Sequence, residues 1–360
     1  MEKHNLKKVW LEELLRLHNP IETSPSKKGL DDLLKNLIQA FPTDYLCPPN
    51  PSADTIVTQS LPFNKNTGKF AYVANFGSNT VSVIDTSSNT VVATVPVGVA
   101  PSSVAVTPNE KFVYVANSSS STVSVIDTSS NTVIATVPVG FLPLGVAVTP
   151  NSKFAYVTNA GSSTVSVIDT SSNIVVATVP VGVAPFNVTI TKNGKFAYVT
   201  NFGSATVSII DTSSNTVTTT ISVGPGPVDV AITPNDKFAY VTIVVNDNVA
   251  VIDTSSNTVI ATVPAGSEPA FLAITPNGKF AYVTNFISSN VTVIDISSNT
   301  VIATVGVGSS PVGLAITPNS KFVYIANLGS ATVSVIDISS NTVTATVPVG
   351  NGPFDVAIAI

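Results

Sequence analysis

From Lys69 onward, apolar and polar residues alternate in short runs that break at the same places again and again. Phe70 to Asn75 alternates with a period of two, Asn75-Phe-Gly-Ser-Asn79 is rich in turn formers, and Val81-Ser-Val-Ile-Asp85 alternates again. Thr86-Ser-Ser-Asn89 is a second turn, Val91 to Val97 a third run, Gly98-Val-Ala-Pro101 a crossover, and Val104-Ala-Val106 a fourth, wholly apolar run. Thr107-Pro-Asn-Glu110 leads into the next copy. The runs are too short for helices and are bounded by Gly, Pro, Asn and Ser. They predict four short strands, called b, c, d and a in chain order. The Lys-Phe-x-Tyr pattern begins at Lys69, Lys111, Lys153, Lys195, Lys237, Lys279 and Lys321, always 42 residues apart. Four strands in a period of about 40 residues describe a β-propeller blade.

The order of strands within a blade follows from chemistry. Pro96, Pro138, Pro180, Pro264 and Pro348 fall in the third strand of the unit. Proline cannot donate to a ladder, so this strand belongs on the outer edge. The small apolar strand fits the crowded inner position. Residues 67–360 span seven periods of 42, and the chain ends on a spare inner strand, Asp355-Val-Ala-Ile358. That strand is expected to complete the blade begun at Lys69. The fold class is therefore all-β: a seven-bladed propeller of four-stranded antiparallel blades with three-plus-one closure.

Residues 1–66 have a different pattern. Leu6, Trp10, Leu11, Leu14, Leu15 and Leu17 recur at helical spacing, and Asn19-Pro20 ends that helix. Leu30, Leu33, Leu34, Leu37, Ile38 and Phe41 predict a second helix, closed by Pro42. Residues 1–45 thus read as a short α-helical extension, available for self-association or anchoring. Residues 46–66, with Cys47-Pro-Pro-Asn-Pro-Ser52, read as a stiff linker, and 67–360 as the propeller.

Composition narrows the chemistry. Mean hydropathy is +0.40 with 10% charged residues, yet no apolar run approaches the roughly 18 residues that span a bilayer. The net charge of −5 lies wholly on residues 67–360, which argues against nucleic acid as a partner. Cys47 is the single cysteine, so neither an intrachain disulfide nor a cysteine metal cluster forms. Lys3, Lys7 and Lys8 are not followed by an apolar segment. Cytoplasm is the default location, and the cell surface by a non-classical route is the alternative. His4 and His18 both precede the repeats, which contain no His, Cys, Arg or Trp. Hydrolase and zinc mechanisms lose their usual side chains there.

Tyr156-Val-Thr-Asn159, Tyr198-Val-Thr-Asn201 and Tyr282-Val-Thr-Asn285 spell one motif, with near variants at Tyr72, Tyr114, Tyr240 and Tyr324. Together with the Val-Ile-Asp and Ala-Ile-Thr-Pro-Asn elements, residues 67–360 resemble the YVTN-family β-propeller repeat. The resemblance implies a seven-bladed propeller like those of microbial surface-layer proteins, mostly binding or structural in role. Neighbouring propellers include lactonases and quinone-cofactor dehydrogenases, whose polar residues this chain lacks.

The seven copies can be compared with each other. Asp85, Asp127, Asp169, Asp211, Asp253, Asp295 and Asp337 each precede a Ser-Ser-Asn turn and read as turn chemistry. The seven tyrosines read as interblade packing, each hydroxyl reaching a polar partner. The b–c turns and d–a crossovers vary most, and they open on the same face, where a rigid scaffold presents function. That face carries Phe76, Phe141, Phe186, Phe202, Phe271, Phe286, Leu328 and Phe354, as a contact surface or as blade-top packing. The charges outside the repeat pattern on that face are Asp229, Asp247, Glu268 and Asp355, while Glu110, Lys192 and Asp236 fall on the opposite a–b turns. Asp229, Asp247 and Glu268 belong to or adjoin the blade of Lys237, whose Ile243-Val-Val-Asn-Asp247 turn breaks the motif. As a cluster they would suit calcium, or an electrostatic docking patch; as solvated loop acids they would do neither.

The expected function is a non-catalytic binding or structural scaffold that presents the b–c/d–a face to a protein, glycan or small polar ligand, without a cofactor unless calcium. One alternative is an enzyme of the lactonase or quinone-dependent type, with Asp229, Glu268 and Asp355 as its acid–base or metal groups. Another is a divalent-cation-binding surface protein.

Overall fold

The computed structural model describes residues 70–359, and the helices and linker expected within 1–66 lie outside the described residues. Seven four-stranded antiparallel sheets stand around one axis. Blade 1 consists of strand a, Pro353–Ile358, strand b, Phe70–Asn75, strand c, Thr80–Asp85, and strand d, Thr90–Pro96. Blades 2 to 7 begin their inner strands at Pro101, Pro143, Pro185, Pro227, Pro269 and Pro311. The C-terminal strand pairs with the first described strand, Ala71 opposite Ile358 and Val73 opposite Val356. This is the three-plus-one closure that the sequence implies. No helix among the described residues is long and apolar enough to cross a membrane.

Burial follows strand position. Strand b is buried on both faces from its second residue, because each blade packs against a neighbour on either side. Strand d is exposed along most of its length and ends the sheet, as the prolines require. A register shift in every c–d pair, such as that between Val83 and Ile84, twists this outer edge and blunts it against pairing with another chain.

The inner strand differs from its reading in the sequence. It begins at the proline, three residues before the apolar run, so Pro101–Val106 replaces Val104–Val106. The proline and two further residues look like a crossover because the strand bulges there. Pro227 pairs with Ile243 and Val230 with Val241, which leaves Val228 and Asp229 out of the ladder. Consequently Phe186, Phe271 and Phe354 stand on inner strands rather than in crossovers, and Asp229 and Asp355 lie inside those strands rather than at their start.

The four motif residues each perform a separable structural task. The tyrosines are buried, and at five junctions the hydroxyl donates to the c–d asparagine of the next blade. The pairs are Tyr114 to Asn173 at 2.7 Å, Tyr156 to Asn215 at 2.6 Å, Tyr240 to Asn299 at 2.5 Å, Tyr282 to Asn341 at 2.8 Å and Tyr324 to Asn89 at 2.6 Å. The last of these closes the ring. The accepting asparagines adopt the left-handed conformation, with φ of 56° at Asn173, which Asn tolerates better than most residues. The valine fills the core. The threonine serves the bulge: Thr242 Oγ1 accepts the displaced Asp229 N–H at 2.9 Å and donates to Ala270 O of the next blade at 2.8 Å. Thr158, Thr200 and Thr284 repeat the arrangement. Blade 2 has Ala116 at this place, and Ser102 supplies the hydroxyl instead, 3.0 Å from Leu144 O of blade 3. The asparagine locks the b–c hairpin, Asn75 Nδ2 donating to Thr80 Oγ1 at 3.1 Å and Ser82 Oγ at 2.9 Å.

The repeated aspartates are turn residues. Asp127 Oδ1 accepts the N–H groups of Ser129 at 2.9 Å and Ser130 at 3.0 Å, and these donors, the Ser129 hydroxyl foremost, hold its pKa below the ordinary carboxylate range.

Tyr156→Phe removes one interblade bond and leaves the Asn215 Oδ1 acceptor without it, at a cost of about 1–2 kcal/mol in denaturant unfolding. Tyr198 makes no such bond and the Oδ1 of Asn257 is unpaired there, so Tyr198→Phe is expected to cost less than about 0.5 kcal/mol. Equal losses in the two variants would refute the clasp.

Candidate functional site around the axis and on the b–c/d–a face

One column of the repeat carries most of the polar variation. The third residue of each inner strand is Ser103, Gly145, Asn187, Asp229, Phe271, Gly313 and Asp355 in turn. The bulge turns backbone N–H groups at this level away from the ladder, and side chains in the same column receive them. Asp229 Oδ1 accepts Val230 N–H at 2.7 Å and Asn187 Nδ2 at 2.6 Å, and Oδ2 accepts Leu272 N–H of the next blade at 2.8 Å. Asp355 accepts Val356 N–H at 2.8 Å, Val104 N–H at 3.0 Å and Ser103 Oγ at 2.9 Å, the last two from blade 2. Asn187 Oδ1 accepts Val188 N–H at 2.8 Å. Gly145 and Gly313 keep room for this network, since a Cβ at either would collide with Asn187 or Asp355.

Asp229 is 6% exposed and Asp355 is 9% exposed. Burial raises the pKa of Asp229 to about 7, against the lowering effect of its N–H donors and with a further rise from the charge of Asp355. Burial likewise raises Asp355 to about 6. Every oxygen of the pair has a donor. The site is a set of two carboxylates that hold backbone together across blade boundaries, titrating near neutrality.

Aromatic side chains close the b–c/d–a end of the ring. Phe76 and Phe354 lie 5.9 Å apart between ring centres, Phe354 and Phe271 6.0 Å, Phe271 and Phe186 6.2 Å, and Phe186 and Phe202 6.4 Å. With Phe286 and Leu328 they belong to one buried cluster. The contact surface read from these aromatics therefore narrows to Phe141, which is 47% exposed. The others are packing, because Phe186, Phe271 and Phe354 on the bulged inner strands meet one another and the side chains of the b–c turns. Phe141 lies on Gly161, the next blade's b–c turn, where a side chain would collide with the ring. Val99 and Val183 occupy the equivalent crossover positions on either side and are 47% and 41% exposed.

The three acids expected to gather do not. Among the described residues, no group of three or more His, Cys, Asp and Glu side chains stands together as a metal site. Asp229 is held on its inner strand, and Asp247 lies in the b–c turn with φ of 51°. Asp247 Oδ1 accepts Glu268 N–H at 2.8 Å. Asn79 makes the same tie in blade 1, accepting Ala100 N–H at 2.9 Å, so the task at Asp247 needs no charge. The motif break in the same blade is also packing. Ile243 replaces the hairpin asparagine and Ala250 replaces the serine that it would have met, both buried. Exchanging both polar partners for apolar ones is close to neutral, whereas exchanging one is not.

Asn187 and Ser103 went unnoticed in the sequence. Aligning the copies at 42 residues puts them in the column of Asp229 and Asp355, the one sign that marks them.

The fold defines a seven-bladed β-propeller. Residues 44–359 match the YNCE-like β-propeller family, and the chain belongs to it. Among solved structures, it is similar to Kuenenia stuttgartiensis hydrazine synthase, with 25% identity over 71% of this chain and 88% of that one and a TM-score of 0.66. A functionally unknown protein from Desulfotomaculum acetoxidans has 18% identity over 81% and 99% of the two chains, with a TM-score of 0.72. A putative 6-phosphogluconolactonase from Bacteroides uniformis has 18% identity over 81% and 100%, with a TM-score of 0.70. At 18% identity these last two share the fold alone. Comparison with curated proteins found no match.

The carboxylate pair fixes the pH dependence of stability. A carboxyl whose folded pKa is raised binds its proton more tightly in the folded state, so its contribution is fully present below about pH 4 and is lost as pH rises to about 7. Urea unfolding is expected to show stability falling between pH 4 and pH 7, and the Asp229→Asn/Asp355→Asn variant to flatten that slope. An unchanged slope in the variant would contradict the assignment.

Proposed function

We propose that this protein is a non-catalytic binding scaffold and that its b–c/d–a face docks an uncharged protein surface. The observation that carries the reading is the arc Val99, Phe141 and Val183. These are exposed apolar side chains on three successive crossovers, with Phe141 and Val183 seated on the glycines of b–c turns. Exposed apolar side chains presented on rigid turns are what a protein interface uses as anchors. No charged residue lies among them, which favours a neutral partner over an ionic one.

A second reading places acid–base chemistry at Asp229 and Asp355, because buried carboxyls that titrate near neutrality mark many catalytic sites. Against it, all four carboxylate oxygens already accept hydrogen bonds, and the aromatic cluster covers the same end of the ring. The enzyme names among the structural neighbours do not favour it, since the fold serves many unrelated activities.

The test uses affinity capture from the native host with wild type and Phe141→Ser/Val183→Ser protein. The expected result is a partner retained by wild type and weakened at least tenfold by the double substitution, because truncating an anchor costs about 2 kcal/mol or more. Asp229→Asn/Asp355→Asn should retain that partner. Identical capture by wild type and the apolar-arc variant would refute the docking face.

A further inference from the structure

Five of the seven interblade clasps are closed and two are open, and the difference has a simple correlate. The open junctions are those of Tyr72 with Asn131 and of Tyr198 with Asn257, where the asparagine Oδ1 is buried without a hydrogen bond. At the same two junctions the left-handed residue of the adjoining a–b turn is acidic, Glu110 and Asp236, with φ of 57° and 58°. Three of the equivalent positions are Ser152, Gly194 and Gly278, and Ser320 is a fourth. Their junctions carry the tyrosine–asparagine bond. An acidic side chain at the turn therefore goes with a gap in the clasp.

The first of these gaps has the character of a site. Tyr72 is 1% exposed, and its hydroxyl makes none of the interblade bonds its counterparts make. Glu110 Oε1 and Asn131 Oδ1 are both buried and unpaired. Burial, and after it the neighbouring Glu110 and Asp127 carboxyl groups, hold the Tyr72 hydroxyl in its neutral form. A buried carboxylate oxygen and a buried amide oxygen without donors cost on the order of 1–3 kcal/mol each, more for the charged one. A positive, oxygen-seeking ligand removes that cost at one stroke. At the second gap the carboxylate is already engaged: Asp236 accepts Lys192 N–H at 2.6 Å and Asn193 N–H at 3.0 Å.

We propose that the junction between blades 1 and 2 binds a calcium ion, held by the Glu110 carboxylate and the Asn131 amide oxygen beside the Tyr72 hydroxyl. The donors are all oxygen, which excludes a preference for zinc or copper. Calcium accepts irregular geometry and completes its shell with water, whereas magnesium demands near-octahedral order and keeps its own hydration. The ion bridges two blades where the tyrosine clasp is missing.

The full chain, freed of metal with a chelator, is titrated with calcium chloride or magnesium chloride and followed by thermal unfolding and isothermal titration calorimetry. Expected is saturable calcium binding, with a rise in Tm of about 5 °C at a hundredfold excess over Kd, and a weaker response to magnesium. Glu110→Gln preserves the shape of the turn and should weaken calcium binding at least tenfold, while Asp236→Asn and Asp247→Asn leave it unchanged. Absence of a calcium response in wild type means that water alone fills the gap and overturns the proposal. Undiminished binding in Glu110→Gln overturns it equally, since the ion then lies elsewhere.

Discussion

The ring depends on a bond between one blade and the next. Each blade is a twisted sheet with two apolar faces, and it has no stability of its own until both are covered. The tyrosine of strand b does most of this, since burying an aromatic ring contributes about 2–3 kcal/mol by transfer against about 1 kcal/mol net for its hydrogen bond. Packing therefore holds the blades together, and the hydroxyl sets where they stop. By reaching the left-handed asparagine of the next c–d turn, it fixes the angle between neighbours. A small error in that angle, repeated seven times, would leave the ring open. The Tyr324 to Asn89 bond, with the C-terminal strand beside it, gives the last junction the clasp that four others carry.

The threonine tie is the inner counterpart of this clasp. Around the axis, seven strands crowd together and their bulges free N–H groups that a flat ladder would have used. Thr158, Thr200, Thr242 and Thr284 take four of these donors and pass their own hydrogen to the following blade. Asp229, Asp355, Asn187 and Ser103 serve the same need one residue further on. The cost appears as carboxyls that are buried without a cation and therefore titrate near neutrality. They resemble catalytic groups in acidity alone.

The architecture was legible because a period of 42 residues leaves little freedom: strand count, outer edge and closure all follow from Lys-Phe-x-Tyr and the strand d prolines. The site was not, for physical reasons that can be named. Pro227 and its successor look like a crossover, because a proline followed by a bulge carries no alternation, and at the equivalent places this puts Phe186, Phe271 and Phe354 in crossovers they do not occupy. Phe186, Phe271 and Phe354 read in the sequence either as contact surface or as packing, because sequence variation marks both contact residues and residues that plug an asymmetric hole. Of the aromatics on this face only Phe141 is exposed. Ile243 and Ala250 show the same ambiguity, since a paired loss of polarity in the core reads, one residue at a time, as a break in the motif.

Near-identical repeats conceal function for a thermodynamic reason. A residue common to all copies is there because seven equivalent junctions need it, so its invariance measures scaffold. Departures are then of two kinds, and burial separates them. A departure whose partner changes with it, as at Ile243, leaves no unmatched group and asks for nothing further. A departure that leaves its neighbours unmatched, as Glu110 does at Asn131 and Tyr72, retains an uncompensated cost that a folded protein does not keep without a counterpart. In a ring built of identical parts, the place to look for a ligand is the junction where the parts no longer satisfy one another.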